Sequence, residues 1–180
     1  NSLIEELQVA LSFVVKNKDF KYLVISGSGK HFSAGADLKE RACMSKLETL
    51  QFIDKLNNCF DLIENLEIPT IAQIKGATLG GGLELALSCD IIGLDQSRSS
   101  DDLKIGFPET TIGIIPGGGG TYRVNKKMSI SAAKHWILSG KIFSYKEAIR
   151  DRLIDIEDDM QKVYNCLSNN SRLSLVAAKA

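Results

Sequence analysis

Nine of the fifteen glycines fall in two short stretches, residues 76–82 and 113–120. Each stretch stands where an apolar, strand-forming run ends and a helix-forming run begins. Glycine accepts positive φ at no steric cost and lets another group approach the backbone closely. A helix start presents unpaired N–H groups that carry about half a positive charge. Two such junctions restrict the chain to folds in which strands feed helices through tight turns, and they make a site suited to developing negative charge.

The rest of the sequence agrees with that restriction. Ser2 with Glu5 has the form of a capping box, and Leu3, Leu7, Ala10, Leu11, Val14 and Val15 recur at helical spacing to about Lys16. Residues 21–26 (KYLVIS) read as a buried strand closed by Gly27 and Gly29. A helix is expected from about Lys46 to Leu66, ahead of Pro69, then a strand over residues 70–74, a helical segment over 83–88 and a strand over 90–94. Residues 95–102 (DQSRSSDD) have nothing apolar to anchor them and read as an exposed loop. Beyond them come an apolar run at 112–115 and a helix over about 131–138 that Gly140 is placed to end. Ser144 and Glu147 form a second capping box, followed by a short strand near 153–156 and a final helix. This alternation predicts one α/β layered domain with largely parallel strands and no internal repeat.

Composition narrows the function classes. Lys plus Arg equal Asp plus Glu at 22 each, so no net field draws the chain to nucleic acid or to an anionic surface. No apolar run approaches the roughly 18 residues of a membrane-span candidate. Cys43, Cys59, Cys89 and Cys166 are scattered without a C-x-x-C pair and read as free, small apolar packing residues. His31 and His135 have no metal-ligand company and read as hydrogen-bonded or surface residues.

The glycine tracts do not complete a nucleotide motif. Val24 stands where a P-loop ending at Gly29 and Lys30 needs its first glycine, and His31 takes its Ser/Thr position. Leu85, Tyr122 and Arg123 stand where G-x-G-x-x-G needs a final glycine. What the tracts do have is a nearby glutamate each: Glu84 two residues after Gly82, and Glu109 just before the second stretch. Two carboxylates beside one site for negative charge suit general acid/base work. Spacing alone leaves open that Glu84 faces solvent on its helix and that Glu109 is a loop charge.

Three segments bear on that choice: SGKHFSAGADLKERACMS (28–45), PTIAQIKGATLGGGLELALSCDI (69–91) and GFPETTIGIIPGGGGTYR (106–123). In order and separation they resemble the signature regions of the crotonase (enoyl-CoA hydratase/isomerase) superfamily. Their details look most like the methylglutaconyl-CoA hydratase branch, the AU-RNA-binding hydratase group. The resemblance implies a spiral of ββα units, assembly as a homotrimer or dimer of trimers, and an acyl-CoA substrate with no separate cofactor. It implies an opening ββ unit before residue 1 and further helices after residue 180, so residues 1–180 correspond to a core domain.

Carried over motif by motif, the resemblance puts the oxyanion-hole amides on Ala36 and Gly81 and the acid/base pair on Glu84 and Glu109. Ala34, Ala36, Asp37, Leu38 and Gly81 fall in the substrate-binding positions, with the adenine end of the coenzyme on the 34–38 loop. Acyl-pocket residues fall on segments such as 42–50, while Lys39 and Arg41 are read either as contacts to coenzyme phosphates or as helix-surface charges and are left out of the site. An isomerase of this superfamily would keep only the equivalent of Glu109, so the pair implies a hydratase adding water across an α,β double bond. Mitochondrial matrix and bacterial cytoplasm both fit.

Two other readings follow from departures. RNA binding in this branch is associated with lysines on the first helix, but that helix here has Glu5 and Glu6 and no lysine before Lys16. A non-catalytic interaction module is the reading if 180 residues are the whole protein. Where Gly-Leu-Val would be usual after the Ser144 helix, Arg152-Leu153-Ile154 stand instead, and a rebuilt turn is expected there.

Overall fold

The computed structural model describes residues 2–97 and 99–180. The first half of the chain runs α1 (Ser2–Lys16), β1 (Leu23–Ser26), α2 (Leu38–Ala42), α3 (Lys46–Glu64), β2 (Thr70–Ile74), β3 (Ala77–Leu79), α4 (Gly81–Leu87) and β4 (Ile91–Leu94). The second half runs β5 (Lys104–Gly106), α5 (Gly120–Lys127), α6 (Ile130–Ser139), β6 (Ile142–Phe143), α7 (Tyr145–Arg150), α8 (Met160–Asn169) and α9 (Arg172–Lys179).

Two small sheets carry the strands. One has the order β1-β2-β4, wholly parallel, with Ile71 opposite Val24 on one side and Ile91 on the other. Its central strand β2 is buried at four of five positions, which is why it reads as a continuous apolar run rather than an alternating one. The second sheet has the order β3-β5-β6, with β3 and β5 parallel and β6 antiparallel to β5. The chain visits the sheets alternately and leaves through a helix each time: β2, β3, α4, then β4, β5 and, after a 3-10 turn over Pro108–Ile112, α5. The first round is β1, the single bridge from Ser33 to Thr78, then α2 and α3. The architecture is therefore a spiral of ββα units. Structure repeats where sequence does not, because each round uses a different turn and a different second strand.

Helix α1 packs on α3 and buries Leu11. Among the described residues Ser2 already lies within α1 and so does not stand as the cap that the expected box required. Ser45 does cap α3 through a full capping box with Glu48, and Ser144 caps α7 through one with Glu147. The strand expected over 153–156 reduces to one bridge between Gly93 and Ile156, while Leu153 and Ile154 enter the core. One final helix becomes two, α8 and α9.

Two further expectations change. The loop after β4 is anchored at its first residue, where Asp95 meets Lys75 at 2.9 Å in a largely buried ion pair, and residues 100–102 form a 3-10 turn; Arg98 lies outside the described residues. Cys59 and Cys89 pack in the core as expected, whereas Cys43 and Cys166 are exposed. In the turn after α7, Arg152 takes φ 61° and holds the left-handed conformation that glycine would adopt without strain. Among the described residues no helix is long and apolar enough to cross a membrane.

Candidate active site

The site is made where the first two rounds of the spiral meet. Strand β3 ends at Leu79, and Gly80 takes φ 51° and ψ −123° to turn the chain into α4. A Cβ on Gly80 would stand 2.7 Å from Glu109 Oε1, and one on Gly82 would stand 2.2 Å from the Ser33 carbonyl oxygen. Side chains are excluded at both positions, so the loop after β1 can lie directly on the start of α4. Gly35, at φ 90°, is held the same way, with a Cβ position 2.8 Å from the Leu79 carbonyl oxygen and 3.3 Å from the Gly81 nitrogen.

This stacking brings the Ala36 and Gly81 amides together. The Cβ position of Gly81 lies 3.9 Å from Ala36 N and 3.9 Å from Glu84 Oε2. Among the described residues neither amide donates to an acceptor. Both residues line a cavity of about 150 Å³ that also reaches Glu84 and Glu109. Apart from these carboxylates, Arg41 and the backbone of its glycines, its walls are apolar: Ala34, Leu38, Leu56, Pro108, Ile112, Ile114 and Ile115.

Glu84 does not face solvent. It is 2% exposed on α4, and its Oε1 accepts from the amides of Gly118 and Gly120, both at 2.8 Å. Glu109 is likewise buried, on the 3-10 turn after β5, and its Oε2 has no hydrogen-bond partner among the described residues. Burial raises both carboxyls. For Glu84 the burial and the neighbouring Glu109 charge outweigh the Gly120 and Gly118 amides and Arg123, and the group is pushed up to about 7. For Glu109 burial is opposed by its own backbone amide and by the Arg41 charge.

Sequence reasoning missed the group that holds this arrangement, Arg123. Its side chain is 3% exposed on α5; Nη1 donates to the Gly118 carbonyl at 2.6 Å, Nε to Glu64 at 2.7 Å, and Nη2 to Asp61. Asp61 and Glu64 lie on α3, so the guanidinium ties the glycine tract to that helix. The tract then offers its amides to Glu84. The tract needs glycine here as well: a Cβ on Gly119, at φ 86°, would meet Arg123 Nη1 at 2.3 Å.

The other expected positions separate. Ala34 and Leu38 line the cavity with Ala36 and Gly81. Asp37 lines an adjoining cavity of about 190 Å³, and its carboxylate is already engaged as the cap of α2, accepting from the amides of Lys39 and Glu40. Of the 42–50 segment only Met44 reaches that adjoining cavity and none reaches the one holding the carboxylates. Arg41, left out of the site in the reading from sequence, lines both. The signal was present in the helical spacing of Leu38 and Arg41, which places i and i+3 on one face. His31 is structural: its Nδ1 accepts from the Ala77 amide at 3.0 Å.

A glycine-lined start of one helix, a facing loop amide and two buried carboxylates are here set on a ββα spiral, an architecture of the crotonase type. The chain belongs to the enoyl-CoA hydratase/isomerase family, whose model matches residues 1–166. It is 43% identical to human mitochondrial methylglutaconyl-CoA hydratase over 148 residues, 82% of this chain and 42% of that protein. It is 44% identical to an enoyl-CoA isomerase/hydratase of Mycosarcoma maydis over 135 residues, 75% of this chain and 48% of that one. Among solved structures, an enoyl-CoA hydratase from Bacillus anthracis superposes with a TM-score of 0.91 at 31% identity, covering 99% of this chain and 70% of that one. The chain thus spans about half the length of the curated relatives it matches.

Proposed function

We propose that this chain carries the catalytic core of an enoyl-CoA hydratase, which adds water across the α,β double bond of an acyl-CoA thioester. The observation that supports this most is the placement of two buried carboxylates, Glu84 and Glu109, on one cavity with the amides of Ala36 and Gly81.

In this reading the Ala36 and Gly81 amides hold the thioester carbonyl oxygen. As water adds at the β-carbon, charge moves onto that oxygen, and each fixed donor contributes about 3–4 kcal/mol to stabilising it, by analogy with a hydrolase oxyanion hole. Glu84 has Oε1 held by two amides, which leaves Oε2, beside Gly81, for the water. One carboxylate accepts a proton from the water and the other delivers one to the α-carbon. That division requires one acid and one base at working pH, and a Glu84 carboxyl near neutrality suits it.

Ala34, Ala36, Asp37 and Leu38 belong to the loop assigned to the coenzyme, with coenzyme A part of the substrate and no further cofactor. Asp37 serves that loop by capping α2 rather than by a free carboxylate. The homotrimer or dimer of trimers carried by the resemblance is proposed on the same footing. The test is hydration of crotonyl-CoA, followed by loss of the conjugated thioester absorbance, in the full-length protein and its Glu84→Gln variant. Turnover in the first that falls at least about a hundredfold in the second supports the reading. Equal turnover in both contradicts it.

A further inference from the structure

The peptide units that hold Glu84 are anchored from their far sides. Gly118 and Gly120 donate to Glu84 Oε1, so the donors belong to the units joining residue 117 to 118 and residue 119 to 120. In a planar trans peptide the C=O and N–H point in opposite directions, so whatever fixes the carbonyl aims the amide. The Gly119 carbonyl accepts from the Tyr122 and Arg123 amides, which makes the second unit part of α5. The Gly117 carbonyl lies ahead of that helix, and among the described residues its one donor is Asn57 Nδ2 on α3, at 2.9 Å. The same nitrogen spends its other hydrogen on the Ile53 carbonyl at 3.1 Å, one turn back along α3. Glycines flank the first unit on both sides, and without a Cβ its rotation meets little steric resistance. A half-turn would set the Gly117 carbonyl oxygen against Glu84 in place of the Gly118 amide.

We propose that Asn57 is a positioning residue for the acid/base step: by holding the Gly117 carbonyl it keeps the Gly118 amide on Glu84 Oε1 and leaves Oε2 to the reacting water. The assignment rests on the hydratase reading of the same carboxylates and adds a residue that touches neither substrate nor water. Asn57 lines neither of the two cavities that Ala36 and Gly81 share, so it acts through the peptide unit alone. A Cβ on Gly118 would stand 2.8 Å from Glu84 Oε2 and 2.9 Å from the Phe60 ring, so the carboxylate packs directly on this unit. An amide facing it favours the ionised carboxylate, and a carbonyl facing it favours the protonated acid. The charged groups that face Glu84 are Glu109 from the 3-10 turn, Arg123 from α5 and, on the same cavity, Arg41 from α2; Asp61 and Glu64 of α3 face Arg123. Asn57 is uncharged, so replacing it with an apolar residue leaves all of these charges in place.

The experiment titrates the Glu84 carboxyl directly, by carbon-13 NMR of the full-length protein labelled at its glutamate carboxyls, with the Glu84 signal identified by its loss in Glu84→Gln. The unmodified protein is compared with Asn57→Leu, which keeps the side-chain size without a donor, and with Asn57→Met, whose flexible chain fits where leucine strains the packing. In both variants the midpoint is expected to rise by about one pH unit, because a hydrogen bond to a charged group is lost. The kcat for crotonyl-CoA at pH 7 is expected to fall about tenfold with KM within about twofold, and the pH profile of kcat to move with the midpoint. A role confined to holding the fold would lower the urea midpoint and leave the Glu84 titration where it was. An unmoved titration in whichever variant is folded by circular dichroism overturns the assignment, as does a kcat that holds while KM rises. Because the titration needs no turnover, the outcome separates from the hydratase reading: a midpoint moved by Asn57→Leu in a protein that fails to hydrate crotonyl-CoA keeps the hold of Asn57 on Glu84 and removes that reading.

Discussion

Gly80 and Glu109 occupy one another's space: a Cβ on Gly80 would stand 2.7 Å from Glu109 Oε1. The residue that turns β3 into α4 thereby leaves the room that the Glu109 carboxylate occupies beside the start of that helix. Gly80→Ala would force both a strained φ of 51° and displacement of Glu109. Turnover of crotonyl-CoA by this variant is expected to fall by about a hundredfold or more, since displacements near 1 Å cost that much. Steady-state kinetics check it, and a loss under about threefold would show that Glu109 relocates without consequence.

Glu84 makes stability depend on pH. Its carboxyl is raised from 4.5 to about 7 on folding, so between those values the folded chain binds more protons than the unfolded one. Its stabilising effect is whole below about pH 4.5 and is lost as pH climbs to 7, on the order of 3 kcal/mol in total. Urea unfolding midpoints measured from pH 5 to 8 should decline more steeply in the unmodified protein than in Glu84→Gln. Parallel curves would contradict the raised carboxyl.

Arg123 is expected to matter for stability as well as for the site. Arg123→Met leaves the Gly118 carbonyl without its donor and Glu64 with Lys126 as its one remaining 2.7 Å partner among the described residues. The unfolding free energy should drop by about 2–4 kcal/mol. Asp61 contributes little of this, because its side chain is 60% exposed. Denaturant titration of the variant measures it, and a drop under about 1 kcal/mol would mean that the clamp is dispensable.

Arg152 offers the opposite change. It holds φ 61° with an exposed side chain, so Arg152→Gly relieves backbone strain and removes no buried contact. A gain of about 1 kcal/mol is expected, seen as a rise in Tm. A fall in Tm would show that the arginine side chain contributes more than its backbone costs.

What the sequence made legible follows from where local rules and tertiary packing agree. Thr70–Ile74 was readable because a central parallel strand is apolar at nearly every position. Lys46–Glu64 was readable from its apolar period and the proline beyond it. Gly80, Gly81 and Gly82 pointed to a close backbone approach, and the Ser33 carbonyl and Glu109 carboxylate are what approaches. Helix α5 was signalled only by the glycine tract at its start and its extent was not readable, because it has no side-chain cap and buries Gly120, Arg123 and Val124 under an otherwise polar surface, which gives no apolar stripe. Strands β3 and β6 are three and two residues long, too short for a period. Arg123 and Arg41 were hidden for one shared reason: a charge in a helix reads as solvent-facing unless its partners are known. Those of Arg123 lie 59 and 62 residues away on α3.

The central claim is that Glu84 and Glu109 act as one acid/base unit on a single water. Its most direct test is kcat/KM for crotonyl-CoA in the full-length protein, in Glu84→Gln, in Glu109→Gln and in the double variant. If the two act together, each single change should cost at least about a hundredfold, and the double variant should be little worse than either. If the losses multiply, or if one single variant keeps near-normal turnover, the two carboxylates do not share the step and the account is wrong.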